Sequence, residues 1–550
     1  MTTRTPRPVL SLAQQIEGHQ SRFAARPAAE YLGVTINYRE LNALADRLAH
    51  VLRSLGLGRG DVLGIHLPNT PQYLVALIAA SKLGAAISGV SPLLTPSEIV
   101  HQVNDARIKV LLTLDQLYNP AVTPIDGQVP GLKAVLVATP IDVLPGWKKT
   151  LAYALKKVPK VALKPMKSVR VLDYWREQKA ASSAPVAATQ VHPDDTIMIQ
   201  YTGGTTGKPK GAELTLAQLH SQSEQVGEVC AYEDGKETIA SAFPYFHVAG
   251  LILAMVAMRH AAQLLVIPDP RNVEMFCQAM RKHPPTLMAN VPTLFQMLLE
   301  HAPFHQLDFS RLRMAISGAA PFSTDMMYKL EKVIGKGKLC EGYGMTECCG
   351  VTVLNPIGGA RIGSIGLPLP GTKLKIVDVE TGTQEMPVGE PGEVIISGGQ
   401  IMKGYLNNPE ATAKTIRVID GARWLHTGDI AVQDADGYVT ICDRAKDMLI
   451  VGGYKVFSVE VEGKLGELDC VEMSAVIGTP DEKRPGNDIV NLHVQLSAGH
   501  KQRDHRELEA EIIGFCREHM AASKIPKTVR FHDALPLTAV GKLDKKALRV

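Results

Sequence analysis

Residues 201–211 read Tyr-Thr-Gly-Gly-Thr-Thr-Gly-Lys-Pro-Lys-Gly, which puts four glycines, three threonines and two lysines into eleven positions. The preceding Thr196-Ile197-Met198-Ile199-Gln200 is rich in β-formers and reads as a strand, and residues 214–229 have helical composition. A Gly-rich turn between a strand and a helix places this part of the chain in an alternating α/β pattern. Such a turn brings backbone N–H groups close to phosphate oxygens, while threonine hydroxyls add donors and lysine adds charge. Spacing excludes the two commonest nucleotide motifs. A P-loop needs Ser or Thr directly after its Gly-Lys pair, but Pro209 follows Lys208, and the stretch contains no Gly-x-Gly-x-x-Gly turn.

The α/β pattern extends well beyond this loop. Val62-Leu63-Gly64-Ile65-His66-Leu67 reads as a buried strand with a helix over residues 72–83 packed on it. Val110-Leu111-Leu112-Thr113 and Ala134-Val135-Leu136-Val137 are further short strands, and this alternation predicts parallel sheets. Between residues 372 and 404, short strands punctuated by Gly and Pro suggest a small β-rich subdomain. After Arg444, strands near 474–477 and 489–495 and a helix near 506–519 suffice for a separate small domain.

Bulk properties narrow the function classes. A net charge of +4 over 550 residues gives no case for nucleic acid, and no DNA- or RNA-binding motif is present. The eight cysteines lack Cys-x-x-Cys spacing, so neither a zinc site nor a disulfide framework is indicated, and a reducing cytoplasm is the simplest setting. No apolar stretch near Arg4 and Arg7 reads as a signal peptide. The longest apolar run, residues 248–258, is too short to span a bilayer and reads as a core helix. Residues 143–172 stand apart, with eight basic side chains and no acidic one. Trp147, Leu151, Leu155 and Val158 fall near helical spacing among the lysines. Two alternatives follow for 147–170: a solvated helix, or a face lying on the anionic inner surface of a membrane.

Five motifs in order now carry a family resemblance. Residues 201–211 resemble the signature loop of the adenylate-forming superfamily, which includes acyl-CoA synthetases, luciferases and the adenylation domains of peptide synthetases. Glu341-Gly342-Tyr343-Gly344-Met345-Thr346-Glu347 resembles its Tyr-Gly-x-Thr-Glu motif, and Trp424-Leu425-His426-Thr427-Gly428-Asp429 its Thr-Gly-Asp motif. Asp443-Arg444-Ala445-Lys446-Asp447 resembles the hinge motif and Gly541-Lys542 the C-terminal catalytic motif. Bacterial long-chain fatty-acyl-CoA ligases are the most similar members, through Gln306-Leu307-Asp308-Phe309-Ser310, Gly363-Ser364-Ile365-Gly366-Leu367-Pro368 and the basic segment. The resemblance implies an α/β fold. A large N-terminal AMP-binding domain over 1–443 has two α/β subdomains and a small β-barrel-like one. A small mobile α+β domain over 444–550 follows, hinged near Lys446.

The implied reaction has two halves. A carboxylate attacks the α-phosphate of ATP to give acyl-AMP and pyrophosphate, and the thiol of coenzyme A then attacks the acyl carbon. The first half develops charge on phosphoryl oxygens and calls for fixed donors and a cation. By resemblance, Thr202, Gly203, Gly204, Thr205, Thr206, Gly207 and Lys210 cradle the phosphates. Glu347 alone reads as an ordinary helix-start carboxylate; its place in the motif makes it a Mg²⁺ ligand, with Thr346 on the α-phosphate. Asp429 accepts both ribose hydroxyls, and Arg444 helps hold the ribose. Gly318, Ala319, Ala320, Glu341, Gly342, Tyr343, Gly344 and Met345 wall the adenine site, where Tyr343 offers a stacking face. Lys542 bridges the substrate carboxylate and the α-phosphate. Gly452, Gly453 and Tyr454 line the path of the CoA thiol arm.

The acid is read from Phe243-Pro244-Tyr245-Phe246-His247-Val248-Ala249-Gly250-Leu251. Peptide-synthetase domains place an Asp there for the substrate amine, but this chain has His247 and no acid, which disfavours amino acids. His247, Val248, Gly250, Val291, Phe295 and Gly350 form a largely apolar pocket set, suited to a medium- or long-chain fatty acid. Aryl acids, a luciferase-like oxygenase and an adenylate-only enzyme remain as alternatives. Monomer and homodimer are both compatible with the sequence.

Overall fold

The computed structural model describes residues 8–202, 208–320, 322–537 and 543–549. One nine-stranded sheet runs in the order Leu367–Pro368, Gly350–Leu354, Leu339–Met345, Met314–Gly318, Leu287–Asn290, Thr238–Ser241, Gln263–Val266, Pro27–Tyr31, Val34–Asn37. An eight-stranded sheet runs Gly404–Tyr405, Lys210–Thr215, Thr196–Thr202, Ala86–Gly89, Val62–His66, Ile108–Leu114, Ala134–Ala138, Arg170–Asp173. Their inner strands pair in parallel, as the strand–helix alternation predicts.

Side-chain alternation along these strands shows how the sheets stack. In the nine-stranded sheet Ile239, Leu264, Leu287 and Met314 enter one buried cluster, and their neighbours Ala240, Leu265, Met288 and Ala315 enter another. In the eight-stranded sheet Leu63, Ile87, Val110 and Leu136 enter that same first cluster, whereas Val62, Ala86, Leu111 and Val135 enter a third. The first cluster therefore fills a layer between the two sheets. Helices Leu12–Phe23, Tyr38–Ser54, Pro71–Leu83, Leu216–Val229 and Val248–Arg259 contribute to it. Pro71–Leu83 is buried at every position but Ser81. A helix walled in by sheets on both sides has no use for a polar face, which explains why this helix and Val248–Arg259 are apolar all round.

Lys82 is the exception within that layer. It is 1% exposed and lies 2.9 Å from Asp46 and 3.6 Å from Glu17, while donating to the Val186 carbonyl at 3.0 Å. Three helices of the central layer are thus joined by one buried cation.

A third sheet joins Lys373–Val377, Gly392–Ser397, Ala422–Gln433, Ile416–Ile419 and Val439–Arg444. The long strand Ala422–Gln433 pairs with Ile416–Ile419 along its first part and with Val439–Arg444 along its second. The C-terminal strands Val471–Pro480, Asp488–Leu496 and Thr528–His532 form a fourth sheet, packed with helices Ser458–Leu465 and His505–His519 around a core cluster of their own.

Two expectations change. The Gly-rich stretch does not run from a strand into a helix. Its described flanks Thr196–Thr202 and Lys210–Thr215 pair antiparallel, Thr202 opposite Lys210, so it connects two paired strands. Pro209 and Gly211 are poor helix formers, and the helix starts at Leu216, where Thr215 and Gln218 form a capping box. In the basic segment the helix is Gly146–Ala154, so Val158 lies outside it and packs against the central core instead.

Lys82→Ala leaves the Asp46 carboxylate buried without its cation. It should cost about 3–5 kcal/mol of stability, read as a lowered thermal unfolding midpoint.

Candidate active site

Tyr343, Asp429 and Arg444 converge at one point. The Thr-Gly-Asp motif lies within Ala422–Gln433, whose antiparallel partner places Arg444 directly opposite Asp429. Arg444 Nε is 3.3 Å from one carboxylate oxygen of Asp429, and the Tyr343 hydroxyl donates to the other at 2.5 Å. Burial and the neighbouring carboxylate hold the Tyr343 phenol well above its ordinary range, so it keeps its proton and donates. Thr427 receives the Asp429 N–H at 3.1 Å and donates to the Val394 carbonyl at 2.8 Å. Glu393 receives the Gly428 N–H at 3.0 Å and pairs with His426 at 3.0 Å. Asp429 is thus a buried carboxylate whose backbone is fixed from both sides. Tyr343, expected as a stacking face, turns its hydroxyl to this carboxylate.

Glu347 forms a second corner with a residue the sequence did not single out. The Tyr405 hydroxyl donates to Glu347 at 2.6 Å, and both side chains are buried. Lys210 Nζ stands 4.3 Å from the centre of the Tyr405 ring. Tyr405 pairs with Ala212 of the hairpin, so one aromatic ring connects the far leg of the Gly-rich turn to the carboxylate. No local pattern marks Tyr405, because its partners are distant in sequence. Among the described residues no three His, Cys, Asp or Glu side chains group to hold a metal. The donor set suits Mg²⁺, which binds through one or two carboxylates and takes its other ligands from substrate phosphates and water.

The expected adenine walls lie on adjacent parallel strands, with Ser317 opposite Glu341 and Gly318 opposite Gly342. Burial pushes the Glu341 carboxyl up to about 7. The Ser317 hydroxyl is buried and has no partner among the described residues. Ala319 has φ 69°, a conformation that costs a non-glycine residue about 1–2 kcal/mol, and Ala320 follows it. Gly344 meets an absolute constraint: a Cβ there would stand 1.8 Å from the Gly350 carbonyl oxygen. Met345 and Thr346 follow, with Thr346 buried.

The acyl set is only partly brought together. His247 caps Val248–Arg259, its ring accepting from the Ala249 N–H at 3.4 Å. Val248 is buried, Gly250 lies under the carbonyls of Phe243 and Pro244, and Gly350 faces Ile252 of the same helix. Val291 caps Pro292–Leu299 and touches the cores on both sides of the nine-stranded sheet. Phe295 is set apart. It is fully buried in the opposite core, its ring 6.1 Å from that of Phe322, so it packs the scaffold across the sheet from Val248 and Gly250. The helical period of residues 292–299 does not reveal which sheet face the helix covers.

Gly452 and Gly453 form the two-residue turn between Leu449–Val451 and Tyr454–Val456, with φ of 61° and 82°. Positive φ at both positions is what such a turn demands, and this accounts for both glycines. Tyr454 is exposed, and so is Lys446, just after Val439–Arg444. Gly203, Gly204, Thr205, Thr206, Gly207 and Lys542, with Pro321 and Gly541, lie outside the described residues; Thr202 and Lys210 border the first group.

Stacked α/β sheets, with a carboxylate pinned between a tyrosine and an arginine, define a nucleotide-binding enzyme of the AMP-binding class. A family model described as AMP-binding enzyme matches residues 16–406, and one for the AMP-binding enzyme C-terminal domain matches 460–542. The chain belongs to the AMP-binding enzyme family. It is 34% identical to a long-chain-fatty-acid–CoA ligase of Bacillus subtilis (strain 168), covering 99% of this chain and 95% of that one. Identity to a long-chain-fatty-acid–CoA ligase of Escherichia coli O6:H1 is 33%, over 98% and 94% of the two chains. Among solved structures, an anthranilate CoA ligase in complex with anthranoyl-AMP superposes with a TM-score of 0.83 at 26% identity, over 99% and 97% of the chains.

Asp429→Ala removes a carboxylate able to accept two ribose hydroxyls, each such bond being worth roughly 1.5–3 kcal/mol. Titration calorimetry should show severely weakened ATP binding, and Tyr343→Phe should weaken it less. Unchanged affinity would remove Asp429 from the nucleotide site.

Proposed function

We propose that the protein is an ATP-dependent acid–CoA ligase that activates a medium- to long-chain fatty acid as acyl-AMP and passes the acyl group to coenzyme A. The convergence of Tyr343, Asp429 and Arg444 is the observation that carries this proposal. Asp429 orients the ribose and so fixes the α-phosphate relative to Thr346. Mg²⁺ held at Glu347 would offset charge on the phosphates of ATP. The Tyr405 hydroxyl on one oxygen of Glu347 holds that carboxylate in one orientation. Lys210 and the Gly-rich turn supply cation and donors to the same phosphates. Lys542 bridges the two reacting groups during adenylation.

The 1–443 and 444–550 division fits the separate C-terminal core, with Lys446 as the hinge that exchanges Lys542 for the Gly452-Gly453 turn between half-reactions. Val248, Gly250 and Gly350 favour an apolar acyl chain, and no acidic residue occupies the His247 position for an amine. ATP, the acid and coenzyme A are the small-molecule partners.

A substrate panel with a pyrophosphate readout tests the function. Pyrophosphate release should require both ATP and acid, be faster with palmitate or octanoate than with cinnamate, and turn over only when coenzyme A is present. A preference for cinnamate would move the protein to the aryl-CoA ligases. Release indifferent to coenzyme A would leave an adenylate-only enzyme.

The membrane contact is proposed for the helix Gly146–Ala154, which buries none of its residues. Trp147, Leu151 and Leu155 are 66%, 49% and 56% exposed, beside Lys148, Lys156 and Lys157. The proposed contact is a peripheral one, and no described helix is long and apolar enough to cross a membrane. Replacing Lys156, Lys157 and Lys164 by Gln should weaken binding to phosphatidylserine vesicles by about fivefold per charge. Activity on soluble short acids should persist. Wild-type protein that ignores such vesicles at low salt would leave a solvated helix.

A further inference from the structure

The last residues of the chain fold back onto the hinge motif. Lys545 Nζ lies 2.7 Å from Glu462 of the helix Ser458–Leu465, with side chains 13% and 17% exposed. The same ammonium donates to the Ser458 hydroxyl at 2.5 Å. Ser458 in turn gives both its backbone N–H and its hydroxyl to Asp443, the first residue of the hinge motif. Four residues on, Asp447 pairs with Arg549, which also donates to the Lys446 carbonyl at 3.3 Å. The two aspartates that bracket Arg444-Ala445-Lys446 are therefore both held by the segment 543–549, one through Ser458 and one directly.

Neither anchor is a surface ornament. Burial pushes the carboxyls of Glu462 and Asp443 up, and Lys545 acts against this at both. Glu462 also receives the Val476 N–H at 2.7 Å, so the cluster reaches into the C-terminal sheet. The other side of residues 538–542 is fastened as well. Leu537 bridges Leu543, the Asp544 N–H donates to the Pro536 carbonyl at 2.8 Å, and the Leu535 N–H donates to Gln495 at 2.8 Å. Both ends of the stretch that contains Lys542 are thus tied, and the downstream tie runs straight to the hinge.

We propose that Lys545 is a positioning residue for Lys542: with Arg549 it fastens the segment that follows Lys542 to the hinge motif, so that the lysine and the hinge move as one body. The proposal rests on the reading of Lys542 as the adenylation lysine. Without the tie Lys542 would be delivered to the reacting groups with less fixed geometry. Adenylation suffers, whereas attack by the thiol of coenzyme A, which uses the Gly452-Gly453 turn, does not.

The test compares half-reactions in the full-length enzyme. Lys545→Met should slow single-turnover acyl-adenylate formation by about 10- to 100-fold, the scale of a small misplacement of a reacting group. Thioester formation from supplied acyl-adenylate should stay close to wild type, and Lys545→Arg, which keeps the charge and reach, should restore adenylation. Arg549→Gln should give a smaller loss in the same half-reaction, and decides the matter if Lys545→Met does not fold. Lys542→Ala is run beside them. If it leaves adenylation intact, the role of Lys542 falls and the proposal with it. If Lys542→Ala blocks adenylation while Lys545→Met and Arg549→Gln do not slow it, the positioning role alone is overturned. Equal loss in both half-reactions, with Lys545→Arg no better than Lys545→Met, overturns it as well and leaves a structural ion pair.

Discussion

The apolar layer shared by the two large sheets is the constraint on which the site depends. Each sheet contributes alternate residues to it, Ile239 and Leu264 from one and Leu63 and Ile87 from the other, and the helices between them are buried on nearly every side. Burial of that kind, worth about 25 cal/mol per Å² of apolar surface, fixes the distance and angle between the sheets. The Gly-rich hairpin belongs to the eight-stranded sheet and the Tyr343 strand to the nine-stranded one. Their relative placement is a consequence of how the layer between them is filled.

Polar contacts then refine what the layer sets coarsely. Tyr343 reaches from the nine-stranded sheet to Asp429 of the small β-sheet, and Tyr405 from the eight-stranded sheet to Glu347. Two phenols thus each bind a carboxylate that belongs to a different part of the fold. A phenol whose ionisation is suppressed by burial is a dependable donor across the whole physiological pH range. Two neutral donors therefore join three sheets at the site, with Arg444 beside one of the two carboxylates.

Much of this was legible in the sequence, for physical reasons that also mark the limits. Val62–His66 and Pro71–Leu83 carry continuous apolar runs because both lie deep in the core, and residues 248–258 announced a buried helix in the same way. The motif order identified the family and assigned Asp429, Arg444 and Tyr343 to one nucleotide site, but with Tyr343 as a stacking face rather than as a hydrogen-bond donor to Asp429. What failed was information held in neighbours distant along the chain. The strand Lys210–Thr215 is not legible locally, its start falling in the Gly-rich stretch 201–211 and its end in the expected helix 214–229, because its β character is expressed mainly in pairing to Thr196–Thr202. Phe295 was assigned to the acyl pocket, yet its helix covers the other face of the sheet, which periodicity alone cannot choose. Tyr405 lies far from Glu347 in sequence, and nothing in its local composition distinguishes it from a core aromatic.

The C-terminal strands and helices have one more consequence. Their apolar side chains, from Leu449 to Cys516, are satisfied among themselves and form a cluster separate from the others. A body that carries a closed core can swing without uncovering oily surface, so hydrophobic cohesion does not oppose a change of orientation. Under the proposed two-orientation mechanism the balance would rest on a few ion pairs and hydrogen bonds near the pivot, where a difference of about 1.4 kcal/mol shifts it tenfold. With Lys446 as the proposed hinge, substrate, adenylate and thiol would need to favour one orientation only by that much to set the order of events, and the sequence of steps would be a matter of bound-ligand chemistry rather than of protein refolding.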